Sequence, residues 1–569
     1  MAAICVSSLA IGQAAILLCG GRRWSWLAPA VGLALLCALC WATVRLPGDG
    51  VVSAVAVLVV TVAALVYLWG RTEGVGEALV AGWPVALIAL LAASLPFAVE
   101  GHFGILGTSF NPDMSQHLLA TDRLAEGHSS QLLHQGYPLG PHAIVVALNK
   151  GLGIGLVQGF SGLTIAVAVL ASLTALAAFR DLPAIPRAAG ALLVALAYVV
   201  ASYFAQGAFK ETIQALFLLA FVLALREADS GWHELPLRFV PAALIAVGSI
   251  YTYSFPSLVW LGPAAVLFLL LSRGWRRGGR ALGLAFIVFA ALTLPELGRM
   301  LDFHSFETFD PNGPGLGNLF GQISPFEALG IWPSGDFRLA PGDGAVPALA
   351  YYLGIAFALV LFVYGFIQLW RRRETAILAG VGAAALAYAA ARVAGTPYTA
   401  AKAIEIGAPL VALTILLPLL STGLRVPWFL SSRGDDKGTT QLGGVAAGLF
   451  VVAAGACSLL ALANAPVGPT SYSSTLSEYR KVVGEGPTLV VASPQLLDEE
   501  HGVPYLSWEL RGGRVCIRST AEGGELPAGV RFVIAEDDDW TLRRVSNPAP
   551  GKTPCPLIAV RQARQGPAR

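Results

Sequence analysis

The sequence predicts an α-helical polytopic membrane protein with about fourteen transmembrane helices and a small α/β domain outside the membrane at its C-terminal end. Of the 569 residues, 56% are hydrophobic and only 13% are charged, whereas a water-soluble protein carries roughly twice that share of charge. Apolar runs of about 18 or more residues recur along the chain, and such a run can cross a bilayer as a helix. The formal net charge of +2 is too small to indicate nucleic-acid binding.

The candidate spans are joined by short connections, except at two long loops. They lie near residues 2–20, 26–43, 50–70, 79–98, 157–178, 188–206, 211–226, 237–252, 255–272, 281–297, 347–370, 376–392, 402–421 and 441–463. The first run lacks a basic leading region and a small-residue cleavage site, so we expect a retained helix rather than a signal peptide. We therefore divide the chain into N-terminal transmembrane helices (1–78), a core (79–346), C-terminal transmembrane helices (347–463) and an external domain (464–569).

Lysine and arginine are distributed unequally between the two alternating sets of connections. One set contains seventeen: Arg22, Arg23, Arg71, Arg180, Arg187, Arg226, Arg238, Arg273, Arg276, Arg277, Arg280, Arg371, Arg372, Arg373, Arg425, Arg433 and Lys437. The other contains eight: Arg45, Arg123, Lys150, Lys210, Arg299, Arg338, Arg392 and Lys402. Cytoplasmic loops are enriched in basic residues. We therefore predict that the first set is cytoplasmic, and that residues 99–140, residues 298–346 and both termini are external.

The tail after residue 464 has the composition of a small folded domain. Its strand-like runs are "PTLVVAS", "GRVCIRS", "VRFVIAE" and "CPLIAV", separated by turns rich in glycine and proline. Cys516 and Cys555 lie in this tail, where an external location permits a disulfide. High alanine, glycine, leucine and valine contents, with arginine preferred to lysine, suggest a GC-rich bacterial source. The expected location is therefore the bacterial cytoplasmic membrane.

Polar residues are concentrated in the first external loop, in the stretch "FNPDMSQHLLATDRLAEGH". Asp113 stands at the start of a predicted surface helix, with His117 four residues later on the same face. An ionised carboxylate beside an imidazole can act as a general base or bind a cation. The alternative is an aspartate that caps the helix. The sequence identifies no cofactor with certainty, and binding of a divalent metal ion is left open. We expect Asp122 and Glu126 to lie on the solvated face.

A second short helix is predicted in "HQGYPLGPHAIVVALNKGLG", opened by Tyr137 and Pro138. At about fourteen residues it is too short to span a bilayer and is expected to be an interfacial or a re-entrant helix. One span, a loop with an aspartate and two juxtamembrane helices, six more spans and a long outer loop together resemble the GT-C superfamily of membrane glycosyltransferases. The resemblance covers about 79–346. "GYPLGPHAIVVAL" is also similar to the Tyr-Pro-Pro-Gly-x-His segment common in such proteins, with Leu139 in place of a proline.

The resemblance implies transfer of a sugar from a polyprenyl phosphate to a cell-envelope glycan or protein at the outer face. Asp113 stands where the family carries its catalytic aspartate, although "PDMSQH" has one acid where many members have two. The departing phosphate needs positive charge, for which Lys210 and Lys402 are the candidates. The alternative for both lysines is snorkelling or pairing with a nearby glutamate, with Glu405 expected beside Lys402.

Further contacts to the acceptor or the sugar are expected from Tyr137, Tyr253, His304 and Glu307. Tyr253 has an alternative place in the aromatic belt at the membrane surface. Residues 298–346, rich in glycine, proline and aromatic residues, are expected to form a lid.

Two other functions stay open from the sequence. One is a transporter or flippase for a lipid-linked saccharide or small molecule, and the other is a scaffold without catalytic activity. Convergence of Asp113, Lys210 and Lys402 at an outward cleft would favour the enzyme, whereas a closed central pathway would favour the transporter.

Overall fold

The computed structural model describes residues 1–108, 110–111, 113–128, 130–230, 235–272, 278–303, 315–422, 436–498, 502–522, 525–537 and 539–550. The N-terminal helices are α1 (Ala2–Leu18), α2 (Ala28–Val44), α3 (Asp49–Leu68), α4 (Val75–Ala93) and α5 (Leu95–Glu100). The first loop, residues 101–139, contains α6 (Met114–Ala125) and α7 (Gln131–His134), and α8 (Gly140–Leu152) follows it.

The remaining bundle helices are α9 (Leu156–Phe179), α10 (Ala184–Ala195), α11 (Tyr198–Ala205), α12 (Phe209–Ser230), α13 (Val240–Tyr253), α14 (Leu258–Leu271), α15 (Gly279–Thr293), α16 (Leu297–Phe303), α17 (Ala348–Arg372), α18 (Thr375–Ala394), α19 (Pro397–Thr422) and α20 (Asp436–Ala463). Short 3-10 turns cover Phe255–Ser257, Leu294–Glu296, Pro325–Leu329 and Thr520–Glu522. The part of the second loop that the structure describes, residues 315–347, lies between α16 and α17.

The chain is a helical polytopic membrane protein. Within the described ranges, eight helices are long and apolar enough to cross a bilayer, or nine spans if α10 and α11, bent by 52°, count as one. These are Asp49–Leu68, Val75–Ala93, Leu156–Phe179, Gly279–Phe303, Ala348–Arg372, Thr375–Ala394, Pro397–Ser421 and Gly444–Ala463. Helices α9 and α19 lie in the interior of the bundle. Of their most apolar 18-residue segments, 94% and 89% are buried, against 17% for the corresponding segments of α3 and α4.

Every predicted span is helical, but fewer than the predicted fourteen or so are long and apolar enough to cross a bilayer as single helices in the described residues. The helices α1 and α2 have 17 residues each and α13 has 14. At 1.5 Å per residue they are shorter than the ~30 Å hydrocarbon core. Helix α12 has 22 residues but carries charged side chains near both ends. Hydropathy identified these segments as apolar without showing where each helix ends.

Close approach of α1 and α2 requires glycine at their crossing. A Cβ atom at Gly12 would overlap the carbonyl oxygen of Ala28, and one at Gly32 would overlap that of Ser8. Small residues at such crossings let two backbones approach in a bilayer. Helix α2 also packs against α3, α8 and α13, so this crossing sets the position of the helix that supports the first loop.

The C-terminal domain is a four-stranded sheet with the order β2-β1-β3-β4. Its elements are α21 (Ser474–Val483), β1 (Thr488–Ala492), α22 (Pro494–Asp498), α23 (Gly502–Glu509), β2 (Val515–Ser519), β3 (Phe532–Glu536) and β4 (Trp540–Arg544). Strand β1 pairs parallel with β2 and β3, and β4 is antiparallel to β3 at the edge. The first three predicted strands are confirmed, whereas "CPLIAV" lies outside the described residues. Strand β4 was missed because "WTLRR" is polar, as edge strands often are.

Cys516 is disulfide-bonded, as the composition of the tail allows, and Cys555 lies outside the described residues. The tail domain and the first loop meet at one end of the bundle. The backbone of Leu106 forms an antiparallel bridge with that of Val467, and α23 packs against α6.

Of the two alternatives for α8, burial of residues 140–148 against neighbouring helices favours the re-entrant helix over the interfacial one. The expectation for Asp122 is wrong. Asp122 is not on a solvated face: it is partly buried, and burial raises the pKa of its carboxyl group. The burial of both arises because the tail domain and the N-terminal helices cover the loop.

Connections that were predicted to lie on the same side of the membrane contact one another. Arg23 pairs through its backbone with Glu73, and Arg226 forms an ion pair with Glu374 at 2.8 Å, all in the predicted cytoplasmic set. Arg45 contacts Glu296 at 2.9 Å at the other end. Which end faces the cytoplasm stays a prediction.

Cysteine labelling of intact cells tests this orientation. His128→Cys, Ala345→Cys and Glu485→Cys, all at exposed positions, should react with a membrane-impermeant maleimide. Asp181→Cys, at the opposite end, should react only after the cells are opened. The wild-type protein is the control, because its free cysteines in the described residues are buried or partly buried. The reverse pattern would invert the orientation.

Candidate functional site

Asp113 occupies the N-cap position of α6, but its side chain makes no capping hydrogen bond. Its backbone N–H donates to the Oδ1 atom of Asn111 at 3.0 Å, so a different side chain holds the turn. The capping role that the sequence left open for the Asp113 carboxylate is therefore not taken up. The residue is half-buried at the start of the helix, where the helix dipole favours a negative charge.

His117 lies one turn further along α6 and contacts His142 of α8. The Nδ1 atom of His117 and the Nε2 atom of His142 are 3.1 Å apart, so one ring donates a hydrogen bond to the other. Complete burial lowers the pKa of His142 to about 3, which keeps that imidazole neutral. The sequence contained His142 only as the last residue of its tyrosine-proline motif and assigned it no role.

Lys210, in the first turn of α12, lies against the two tyrosines predicted for the site. Its Nζ atom is 3.9 Å from the ring centroid of Tyr137 and 5.7 Å from that of Tyr253. These distances are in the range of a cation–π interaction. Among the described residues, Lys210 makes no ion pair within 4.0 Å. Its ammonium group therefore retains N–H donors for a ligand.

Lys402, in α19, is paired with Glu211 of α12 rather than with a residue of its own helix. Its Nζ atom is 3.0 Å from the Oε1 atom of Glu211, and both side chains are nearly buried. The hydroxyl of Tyr253 donates to the same Oε1 atom at 3.4 Å. The expected pair of Lys402 with Glu405 is therefore wrong. A partner on a neighbouring helix cannot be inferred from spacing along one helix.

The charges of α6, α12 and α19 converge. The carboxylate of Asp113 is close enough to Lys210 and Lys402 to stabilise both ammonium groups. We define Asp113, Lys210, Glu211 and Lys402 as the charge cluster. The cluster contains two carboxylates and two lysine side chains, and it lies at the end of the bundle next to the first loop. Convergence is one half of the criterion that the sequence analysis set for an enzyme site, and the other half, an outward cleft, stays a prediction.

Beneath the charge cluster lie buried polar atoms without partners. Among the described residues, both carboxylate oxygens of Glu405, both amide atoms of Gln214 and the hydroxyl of Tyr203 form no hydrogen bond. Tyr203 interacts electrostatically with Glu405 and Glu211. Gln214 is one turn from Glu211 on α12. Unpaired buried groups of this kind call for a ligand, a proton or ordered water.

A buried network positions the turn that carries Tyr137. The carboxylate of Glu296 accepts hydrogen bonds from Trp41 at 2.8 Å, Arg45 at 2.9 Å and Arg299 at 2.6 Å. Arg299 also donates to the carbonyl oxygen of Gly136 at 2.9 Å. The turn before Tyr137 is thereby tied to the start of α16, which positions the tyrosine beside Lys210.

The second loop lies against the first. Asn318 donates to the carbonyl oxygen of Phe110 at 3.0 Å and to Gln206 at 2.6 Å. The guanidinium of Arg338 stacks on Phe110 at 4.3 Å. This part of the loop therefore covers the segment that leads into Asp113. His304 and Glu307, which the sequence proposed as sugar or acceptor contacts, lie outside the described residues.

Within the part of the chain that the structure describes, no group of three or more His, Cys, Asp or Glu side chains is placed to hold a metal ion. No protein-family model matches the chain, and no curated protein matches it. The geometry of the charge cluster is therefore the ground for a functional proposal.

The buried ion pair can be tested by stability measurements. Glu211→Gln removes the contacting counter-charge of Lys402 and should destabilise the protein by about 3–5 kcal/mol, the usual cost of breaking a buried pair. Glu405→Gln removes a carboxylate that has no partner and should change stability little. Thermal unfolding in detergent measures both variants. Equal losses in the two variants would contradict the assignment of Glu211 as the partner of Lys402.

Proposed function

We propose that the protein is a membrane glycosyltransferase that moves a sugar from a polyprenyl-phosphate donor to an acceptor at the outer face of the bacterial cytoplasmic membrane. The observation that carries the proposal is the charge cluster, in which a half-buried carboxylate lies beside two ammonium groups at one end of the bundle. A cell-envelope glycan or protein is the proposed acceptor. The relationship to the GT-C superfamily over about 79–346 belongs to the same proposal.

The lysines supply the charge that the donor phosphate needs. Lys210 is held by two aromatic rings and by no ion pair in the described residues, so a phosphate oxygen can accept its N–H donors. Lys402 is already paired with Glu211 and adds a second, partly compensated charge. Low solvent access strengthens both interactions, because electrostatic attraction grows as the local dielectric falls. The ammonium groups therefore stabilise the phosphate as it leaves.

Asp113 is the proposed general base. In the reaction, an acceptor hydroxyl oxygen forms a bond to the anomeric carbon while the bond from that carbon to the phosphate oxygen breaks. Asp113 takes the hydroxyl proton, and the polyprenyl phosphate leaves with the bonding electrons. Attack opposite the leaving group inverts the anomeric carbon. A metal ion is not required by these steps, and a divalent cation stays open as an addition.

A transporter or flippase is the second candidate. It is favoured by Glu405, a fully buried acid within α19 that has no hydrogen-bond partner among the described residues, because ionisable groups inside a bundle often mark a transport pathway. Liposomes that contain the purified protein and a polyprenyl-phosphate sugar distinguish the two functions. A flippase moves the intact donor between leaflets, whereas the transferase breaks the bond between sugar and phosphate.

Lys210→Ala should reduce the rate of sugar transfer by roughly 100-fold or more, because the leaving phosphate loses a cation in a low-dielectric site. Lys210→Arg should retain more activity. Arg392→Ala, which removes an exposed cation at another helix end, is the matched control and should be close to wild type. Wild-type kinetics for Lys210→Ala would move the donor site elsewhere.

The proposed base is tested with a panel of polyprenyl-phosphate sugars presented to membranes that contain the protein. Asp113→Asn should fold normally, since the side chain makes no capping bond, and should lose roughly 100-fold or more in transfer rate. Glu126→Gln, an exposed carboxylate at the end of the same helix, should behave as wild type. Full activity of Asp113→Asn would refute the assignment, and consumption of no donor by the wild type would refute the proposed function.

A further inference from the structure

The C-terminal domain is attached to the first loop through backbone pairing. Gly468 donates to Ile105 O at 2.8 Å, and Gly107 donates to Pro466 O at 2.7 Å. A Cβ atom at Gly104 would overlap the carbonyl oxygen of Gly468, so glycine is required for this approach. The start of the domain is therefore held within a few residues of the segment that carries Asp113.

A helix of the domain completes the contact. Helix α23 packs against α6, and Trp508 near its end is fully buried in the same apolar core as the bundle helices. The guanidinium of Arg511 lies 3.6 Å from the ring centroid of Trp508 and interacts with the carboxylate of Asp122. Apolar burial and charge attraction thus join the domain to the helix that begins at Asp113.

Two polar atoms at this junction have no partner. The hydroxyl of Tyr472 is enclosed and makes no hydrogen bond among the described residues. The backbone N–H of Tyr472 donates to the Oε1 atom of Glu509 at 2.7 Å, which leaves the buried Oε2 atom of the same carboxylate unpaired. Asp113 interacts electrostatically with Tyr472. A phenol and a carboxylate oxygen therefore lie unpaired on the domain side of the proposed base.

Unpaired buried polar atoms are rare in native proteins and call for an explanation such as a ligand. Leaving one unpaired costs stability that a bound hydroxyl would restore. Sugar hydroxyls both donate and accept hydrogen bonds, so one sugar ring can satisfy a phenol and a carboxylate together.

We infer that Tyr472 and Glu509 form the acceptor subsite, where a neutral saccharide places a hydroxyl beside Asp113. The assignment of this sugar as an acceptor rests on the proposed glycosyl transfer. The Tyr472 hydroxyl donates to an acceptor oxygen, and the Glu509 Oε2 atom accepts from a neighbouring hydroxyl. Two carboxylates at the site, those of Asp113 and Glu509, disfavour an anionic acceptor by repulsion.

Tyr472 is suited to donate rather than to act as a base. Burial, with a smaller contribution from the negative charge of Asp113, raises the pKa of the Tyr472 phenol, so it keeps its proton. Burial also raises the pKa of Glu509. The proton of the acceptor hydroxyl therefore passes to Asp113, and Tyr472 orients the oxygen from which it leaves.

Saccharide binding without any donor tests the subsite directly. The full-length protein in lipid nanodiscs is examined by saturation-transfer NMR with a panel of neutral methyl glycosides and with methyl glucuronide. We expect at least one neutral glycoside to bind, with affinity about tenfold lower for Tyr472→Phe and for Glu509→Gln. Tyr479→Phe removes a hydroxyl from the same domain, where it donates to Trp540 O at 2.9 Å, and should bind as wild type.

Equal binding by Tyr472→Phe and the wild type overturns the subsite, as does the absence of binding of every methyl glycoside. Preferred binding of methyl glucuronide overturns the neutral class. In the transfer assay, Tyr472→Phe should raise the KM for the acceptor more than it lowers kcat. A fall in kcat with an unchanged KM for the acceptor would overturn the assignment. If neutral glycosides bind as expected but the wild type consumes no donor, Tyr472 and Glu509 still form a saccharide-binding site. The result then refutes both the proposed function and the role of this site in binding the acceptor.

Discussion

The ion pair between Lys402 and Glu211 is the interaction on which the candidate site depends. A charge buried among apolar helices is costly unless an opposite charge compensates it. The pair therefore fixes the position of α19 against α12. Tyr253 of α13 donates to the same carboxylate, and Lys210 precedes Glu211 in the chain, so one carboxylate organises groups from three helices. Asp113 then completes the charge cluster from the first loop.

The charge cluster lies at one end of the helical bundle. The first loop, the described part of the second loop and the tail domain contact one another there through Phe110, Asn318 and the paired backbones near Gly468. The tail domain packs against α6, whose N-cap residue is Asp113, so it lies at the same end of the bundle as the charge cluster.

Several sequence predictions failed for a common reason. Spacing along one helix paired Lys402 with Glu405, but the carboxylate that contacts Lys402 comes from another helix. Polarity placed Asp122 in water, but the tail domain covers it. Length left α8 as either an interfacial or a re-entrant helix, and only its burial by neighbouring helices favours the second. Each prediction used local pattern, whereas burial is decided by which distant segments meet. His142 was visible only as part of a motif, because a buried histidine has no local signature.

The sequence by itself determined the class of the protein, the helical character of its apolar runs, three of the four described strands of the tail and the residues Asp113, Lys210 and Lys402 as candidates. Hydropathy and residue type carry this information because each is a property of a short segment. Only the tertiary structure decided which charges pair, that Tyr137 and Tyr253 both lie against Lys210, and that Tyr472, which bonds to Glu509 through its backbone, interacts with Asp113. These relations join residues distant in sequence, and they depend on how the helices and the tail domain pack, which no local pattern records.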